Sequence, residues 1–212
     1  MTRFDSLFSR HPSLNSLSTS IEAAFAILDA CFRAGSTVYV CGNGGSASDA
    51  EHIVGELMKG MSRRRPISPF ESQMLLAAAP GHREDVDYLA DRLDSALRAV
   101  CLSSQTSLLT AIANDLGPDL VFAQQVFGYG KPGDVLWTIS TSGRSRNVLL
   151  AAIAARSRSM AVIALTGEDG HTLGDLADVW IAVPSSDTGC AQELHLPVYH
   201  ALCRALEESS FG

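Results

Sequence analysis

Side chains able to bind a metal or move a proton recur at helical spacing in two parts of the chain. His52 and Glu56 lie four residues apart in a helix-compatible stretch, so an imidazole and a carboxylate share one face about one turn apart. Gln192 and His200 lie eight residues apart near the carboxyl terminus, an angular offset of only about 80° on an ideal helix. Pro197 stands between them and predicts a bend or a fresh start in that helix.

These four side chains together offer two imidazole nitrogens, a carboxylate and an amide oxygen. Such a mixed set suits zinc or a similar divalent ion. A His/Glu pair at this spacing is also typical of an acid–base site, and helices carry many such pairs on their surfaces without any function. The spacing alone therefore leaves all three interpretations open. His195 points away from Gln192 and His200 by the same helical arithmetic.

Two loops rich in glycine and serine each follow an apolar run. The first is Gly42 to Ser46, and the second is Ser140 to Ser145. Glycines and hydroxyl groups at the start of a helix allow backbone N–H groups to approach an anion. Neither loop matches the fingerprints of dinucleotide or nucleoside triphosphate sites. The two loops predict a site for a phosphate monoester, whereas the polar pair Asn114-Asp115 could equally cap a helix.

Apolar strands alternate with helical patterns along most of the chain. This alternation predicts an α/β fold with a parallel sheet covered by helices on both faces. An amphipathic helix is expected from Leu14 to Phe32 and a final helix from about Ala191 to Glu208. The predicted strands are Thr37 to Cys41, Ala99 to Leu102, Asp134 to Ser140, Met160 to Thr166 and Val179 to Val183.

The stretch between the first two strands is expected to hold a helical insertion over residues 67–97. The charge run Arg63-Arg64-Arg65 just before it is typical of a solvated turn, and less often of an anion clamp. With 212 residues and 46% hydrophobic positions, the chain is expected to form a single domain over residues 1–212.

Charge and cysteine usage exclude several classes of protein. The net charge of −7 argues against a nucleic-acid-binding surface. Five cysteines without a CxxC spacing indicate a reducing compartment. Neither a secretory signal nor an apolar stretch of about 20 residues is evident, so we expect a cytoplasmic protein that does not bind membranes.

Five segments taken together resemble the phosphoheptose isomerases of the sugar isomerase (SIS) superfamily: CGNGGSASDAEHIVGEL, TAIAND, GDVLWTISTSGRSRNV, VIALTGEDG and QELHLPVYHAL. The resemblance spans about Val38 to Leu206 apart from the insertion. It implies a three-layer α/β/α sandwich with a five-stranded parallel sheet of flavodoxin-like topology and a helical extension over residues 1–35. It also implies a homotetramer with active sites at subunit interfaces, and isomerisation of sedoheptulose 7-phosphate through an enediol.

The same resemblance assigns roles to individual residues. Glu56 falls on the family's catalytic base and His200 on its catalytic acid, while His52, Glu56, Gln192 and His200 fall on its metal positions, which implies one zinc per subunit. The substrate-binding positions are Asn43, Gly44, Gly45, Ser46, Glu56, Asn114, Asp115, Ser140, Thr141, Ser142, Ser145 and Gln192.

Two departures from the family pattern bear on the substrate. Lys59 lies where an arginine is usual shortly after the catalytic glutamate, and it lacks the bidentate geometry of that arginine. Gly189 replaces an aspartate before the glutamine helix. Two alternatives therefore stay open: an isomerase for a different sugar phosphate, and a non-catalytic SIS module that binds a sugar phosphate or a partner such as the replication initiator. Relatives of the second kind typically lack the glutamate and the histidine.

Overall fold

The computed structural model describes residues 3–212, which form five strands and ten α-helices. The strands are β1 (Val38–Cys41), β2 (Ala99–Cys101), β3 (Val135–Ser140), β4 (Ala161–Gly167) and β5 (Val179–Val183). The helices are α1 (Asp5–Arg10), α2 (Ser18–Arg33), α3 (Gly45–Met58), α4 (Pro69–Ala78), α5 (Arg83–Arg92), α6 (Thr106–Asp115), α7 (Ala123–Tyr129), α8 (Arg146–Ser157), α9 (His171–Gly174) and α10 (Thr188–Phe211). Short 3₁₀ segments lie at Pro12–Leu17 and Pro118–Leu120.

The five strands form one parallel sheet in the order β2-β1-β3-β4-β5. Every residue of the central strand β3 is buried, as expected of a strand covered on both faces. The predicted α/β class and flavodoxin-like strand order are confirmed. The predicted bounds of β5 match the structure, and those of the other strands differ by about one residue at an end.

The strand order reverses between β1 and β3. The chain leaves β1 toward β2 on one side, whereas β3, β4 and β5 follow on the other side. In open parallel sheets ligands bind in the crevice at the carboxyl ends of the strands flanking this point. The loops that follow β1 and β3 are the two glycine- and serine-rich loops, so the topology brings both predicted phosphate loops to the same crevice.

Two apolar clusters fill the space on either side of the sheet. The larger is built with α2, α3 and α10, and the smaller with α7 and α8. Trp137 of β3 is fully buried in the larger cluster, and Leu136 faces the smaller one. The result is the three-layer sandwich that the alternation of strands and helices predicts. Between residues 3 and 212, no helix has the length and apolar character required to span a membrane.

Two helices differ from their predicted form, both at prolines. The amphipathic stretch that begins at Leu14 is divided, because Pro12 opens a 3₁₀ segment and the α-helix starts only at Ser18. The expected fresh start at Pro197 is wrong, since α10 runs as one helix from Thr188 to Phe211. The buried residues that follow the proline, among them Val198, Tyr199 and Leu202, pack this helix against the core and offset the missing hydrogen bond.

The segment between β1 and β2 holds α4 and α5. Helix α4 starts with a capping box, in which the Ser68 hydroxyl accepts from the N–H of Glu71 and the Glu71 carboxylate accepts from the N–H of Ser68. No residue of α4 is buried, and several of its large apolar side chains are exposed. Helices α4 and α5 therefore pack against the rest of the domain through few buried side chains.

The interpretation of the arginine run as a solvated turn is wrong for Arg65. Its side chain is fully buried and pairs with Glu207 of α10 at 2.8 Å. It also donates to the carbonyls of Leu57 and Glu56 at 2.8 and 2.9 Å, at the end of α3 where carbonyls lack a partner within the helix. Arg65 thus fixes the carboxyl end of α3 against α10.

Candidate active site

Helix α3 presents the first two candidate side chains. Gly44 has a positive φ of 55°, which lets the chain turn sharply after β1 and begin the helix at Gly45. About two and three turns further on, His52 and Glu56 lie on the same face, with 3.2 Å between His52 Nε2 and Glu56 Oε1. The predicted juxtaposition of imidazole and carboxylate is present.

Helix α10 brings His200 to the same place. Its Nε2 lies 3.4 Å from Nε2 of His52, and the two ring centroids are 4.9 Å apart and nearly perpendicular. Burial lowers the pKa of His200, and the neighbouring His52 lowers it further by a smaller amount. The Glu56 carboxylate opposes that shift. His200 is therefore neutral at neutral pH, with one ring nitrogen to donate a proton and one to accept.

A buried tyrosine supports His52 from the other side. The Tyr199 hydroxyl lies 3.1 Å from His52 Nδ1 and donates to Asp49 Oδ1 at 3.2 Å. Burial raises the pKa of Asp49, and the hydrogen bond from Tyr199 opposes that shift. Sequence spacing did not single out Tyr199 or Asp49, although Asp49 lies on α3 and Tyr199 on α10, the two helices that carry the predicted residues.

Gln192 lies over the start of α3 rather than in open solvent. A Cβ atom at Gly45 would come within 2.5 to 2.9 Å of the Gln192 amide group. Glycine at this position therefore allows the amide to approach the backbone of the first phosphate loop. His195, on the same helix, is fully buried, and burial lowers its pKa to about 4, so the prediction that it faces away from the site is confirmed.

The loop after β3 forms a compact turn rich in hydroxyl groups. The N–H of Gly143 donates to the Ser140 carbonyl, and Gly143 has a positive φ of 62°. Ser140 Oγ lies 3.3 Å from Ser145 Oγ, and Ser142 Oγ accepts from the N–H of Arg144. Helix α8 begins immediately afterwards at Arg146 without a side-chain cap, and the start of a helix is a place that suits an anion.

The amide groups of Asn43 and Asn147 link the two loops. Each donates to the other at 2.9 Å, across the crevice between β1 and β3. The sequence analysis placed Asn43 in the site but missed Asn147, which follows the serine-rich loop by only two residues. The pair holds the two loops at a fixed separation.

The remaining predicted substrate positions lie around this crevice. Ser46 is buried, and its N–H donates to the Asn43 carbonyl. The carbonyl of Thr141 accepts from the N–H of Gly167. Asn114 and Asp115 end α6, where their side chains bond to each other at 2.7 Å in an exposed position. They neither cap α6 nor contact the histidine and glutamate cluster, so their part in substrate binding stays a prediction.

Two separate clefts reach these groups. One, of about 350 Å³, lies over the first loop and is lined by Gly42, Asn43 and Gly44 together with Thr110 and Ala113 of α6. The other, of about 270 Å³, lies between α1 and α10 and includes His200 among its lining residues. The first loop and His200 thus line different clefts of a single chain.

Comparison with known proteins identifies the family. A family model described as "SIS domain" matches residues 10–93 and 86–167. The phosphoheptose isomerase of Shewanella denitrificans is 38% identical over 210 residues, which is 98% of this chain and 92% of that protein. The chain belongs to the phosphoheptose isomerase family.

Solved structures of phosphoheptose isomerases have the same fold. The phosphoheptose isomerase from Neisseria gonorrhoeae superposes with a TM-score of 0.74 at 34% identity, covering 96% of this chain and 94% of that one. The one from Francisella tularensis gives 0.72 at 29% identity, covering 97% and 94%. Family membership makes the chain an isomerase, and the non-catalytic SIS module is set aside.

Proposed function

We propose that the protein converts sedoheptulose 7-phosphate to glycero-manno-heptose 7-phosphate, an aldose–ketose isomerisation through an enediol. The observation that carries this proposal is the convergence of His52, Glu56 and His200 from α3 and α10, with contacts of 3.2 and 3.4 Å. In a chain of the phosphoheptose isomerase family, this cluster supplies both a proton acceptor and a proton donor.

Glu56 is the proposed base. Its carboxylate would take a proton from one of the two carbons C1 and C2, exchange it with solvent, and deliver a proton to the other carbon, so that one residue serves both halves of the reaction. The Glu56 carbonyl is held by Arg65 at 2.9 Å, which anchors the backbone of this residue independently of its side chain. A fixed backbone limits the freedom of the carboxylate and favours a defined approach to the substrate.

His200 is the proposed acid. Because its pKa is lowered, the ring is neutral and can pass a proton between the two substrate oxygens as the carbonyl moves from C2 to C1. The contact between His200 and His52 keeps this ring beside Glu56. Both proton transfers then take place at one end of the substrate.

The loop from Ser140 to Ser145 is the proposed phosphate site. Hydroxyl groups of this loop and the positive end of the dipole at the start of the twelve-residue helix α8, which lacks a side-chain cap, would hold the dianion. The Asn43–Asn147 pair fixes this loop relative to the first loop. Binding the phosphate here would orient the chain of the sugar along the crevice.

Zinc is a second part of the proposal. Two donors about 2.0–2.2 Å from one tetrahedral ion stand roughly 3.3–3.5 Å apart, and the contacts of His52 with Glu56 and His200 are close to that range. Gln192 would add an amide oxygen. Bound zinc would polarise the substrate carbonyl. Among residues 3–212, no group of three or more His, Cys, Asp or Glu side chains converges as a metal site would, so the support is the donor set and its pairwise distances.

The proposed assembly is a homotetramer in which a neighbouring subunit completes the active site. Its support is the separation of the two clefts in a single chain, together with exposed apolar side chains on α4 and α5, namely Phe70, Met74, Tyr88 and Leu89. Such side chains are typical of surfaces that contact another chain. Sedimentation of the purified protein should give the mass of four chains, and a monomer would contradict the proposal.

A panel of phosphorylated ketoses and aldoses tests the proposed substrate. We expect the purified protein to convert sedoheptulose 7-phosphate at least tenfold faster, in kcat/KM, than five- or six-carbon sugar phosphates. Conversion is expected to fall after treatment with a chelator and to return on addition of zinc. A preference for a shorter sugar would overturn the substrate while leaving the isomerase chemistry, and full activity in the chelator would overturn the role of zinc.

A further inference from the structure

Tyr199 and Asp49 form the start of a chain of hydrogen bonds that ends at the catalytic cluster. Asp49 Oδ1 accepts from the Tyr199 hydroxyl at 3.2 Å, and that hydroxyl lies 3.1 Å from His52 Nδ1. On the other side of the ring, His52 Nε2 faces Glu56 Oε1 at 3.2 Å and His200 Nε2 at 3.4 Å. Both nitrogens of His52 are therefore engaged, by different groups.

The tyrosine has a single proton to share between two acceptors. The carboxylate of Asp49 can only accept, and its other oxygen, Oδ2, is buried without a hydrogen-bond partner among residues 3–212. Asp49 is half-buried, and without the bond from Tyr199 its buried Oδ2 would stay unpaired while Oδ1 would lose its protein partner, which is costly. The Tyr199 hydroxyl consequently donates its proton to the hydrogen bond with Asp49.

The position of that proton determines the state of His52. If the Tyr199 hydroxyl donates to Asp49, its oxygen is left to accept a hydrogen bond from His52. His52 Nδ1 must then carry the ring proton, and Nε2 must carry the lone pair. Free imidazole side chains in water favour the Nε2–H tautomer. The hydrogen bonds of Tyr199 and Asp49 therefore reverse that preference in His52.

We propose that Tyr199 and Asp49 are positioning residues that fix His52 in the Nδ1–H tautomer, so that its Nε2 lone pair is free to accept the N–H of His200 or to bind a cation. This inference deepens the proposed function, because it assigns the origin of the ligand- or proton-accepting state of His52 at that same site. A lone pair at Nε2 suits either a divalent cation or the N–H of His200. In the other tautomer the Nε2–H of His52 would instead donate to the Glu56 carboxylate, a hydrogen bond that the Nδ1–H form gives up.

Nuclear magnetic resonance tests the tautomer directly. In zinc-free protein labelled with ¹⁵N at histidine, protonated and unprotonated ring nitrogens differ widely in chemical shift, and His52→Gln identifies the signals of interest. We expect a protonated Nδ1 and an unprotonated Nε2 in the neutral His52 ring of the wild-type protein. In Tyr199→Phe, which keeps the buried ring but lacks the hydroxyl, we expect the Nε2–H form to predominate.

Two further variants complete the design. Tyr39→Phe removes the hydroxyl of another buried tyrosine, which bonds only weakly to the Tyr129 carbonyl at 3.4 Å, and should leave the His52 signals unchanged. Asp49→Asn keeps the phenol, but its amide can donate to the Tyr199 oxygen and allow the hydroxyl to donate to His52. It should therefore also shift His52 toward the Nε2–H form, which gives a second test should Tyr199→Phe fold poorly.

Zinc affinity and kinetics give an independent readout. Competition with a chromophoric chelator should show about 10–100-fold weaker zinc binding in Tyr199→Phe, and kcat should fall by a similar factor with KM little changed. An Nε2–H tautomer in the wild-type protein, or unchanged His52 signals in both Tyr199→Phe and Asp49→Asn, would overturn the inference. A tautomer shift in a protein without isomerase activity would overturn the proposed function and leave the inference standing.

Discussion

Glu56→Gln should lower kcat by about 10³–10⁴-fold, the full contribution expected of a base that moves a proton between carbons. Glutamine has the size of glutamate and can still accept a hydrogen bond, but it cannot take up the proton. The side chain of Glu56 is largely buried beside His52, and its backbone is held separately by Arg65. The fold and phosphate binding should therefore be retained, as measured by thermal unfolding and by the KM for the substrate.

Glu51→Gln is a matched control for this change. Glu51 lies on the same helix, is exposed, and its carboxylate accepts from the Ser104 hydroxyl at 2.9 Å. We expect its kcat to stay within about twofold of the wild-type value. His200→Asn should reduce kcat by a similarly large factor to Glu56→Gln, because the acid is lost. Activity that survives both Glu56→Gln and His200→Asn would contradict the assigned roles.

Arg65→Met should destabilise the protein by about 3–5 kcal/mol, the cost expected when one partner of a buried ion pair is removed. The substitution leaves Glu207 buried without its cation and removes the two hydrogen bonds to the end of α3. Denaturant unfolding at neutral pH measures this loss. Arg64→Met is the control, because Arg64 is exposed and its pair with Asp94 should contribute about 1 kcal/mol or less.

The pH dependence of Arg65→Met has a predictable sign. Burial alone would raise the pKa of Glu207, but the N–H groups of Met61 and Ser62 and the Arg65 guanidinium together hold it below its ordinary value. A lowered pKa in the folded state means that the carboxylate stabilises the protein above its unfolded pKa and ceases to do so as pH falls through the folded pKa. The difference between wild type and Arg65→Met should thus shrink in acid. An equal difference at all pH values would show that the charge of Glu207 is not involved.

Much of the fold was predictable because its signals are local. The apolar runs of β1 to β5 and the glycines that follow β1 and β3 placed the strands and both loops near their observed bounds. The types and spacing of His52, Glu56 and His200 also singled them out as candidates, and the structure brings these three side chains together. Their convergence follows from the strand order, which places α3 and α10 on the same face of the sheet.

The errors arose where distant contacts override a local pattern. Arg65 looks like one charge in an exposed run, and only its partner Glu207, far away in sequence, makes burial favourable. Pro197 should interrupt a helix, but burial of Tyr199 and its neighbours keeps α10 continuous. Asn147 and Asp49 carry no motif of their own, and their roles depend on a partner from another element. The cytoplasmic location stays a prediction from the sequence.

Deuterium exchange from solvent tests the central claim most directly. Sedoheptulose 7-phosphate incubated in D₂O with the wild-type protein should acquire deuterium at the carbon that receives the proton, at a rate comparable to the formation of the aldose. With Glu56→Gln, both exchange and product formation should fall together by about 10³-fold or more. Conversion without any exchange across a range of extents of reaction, or undiminished exchange in Glu56→Gln, would contradict an enediol mechanism with Glu56 as the base.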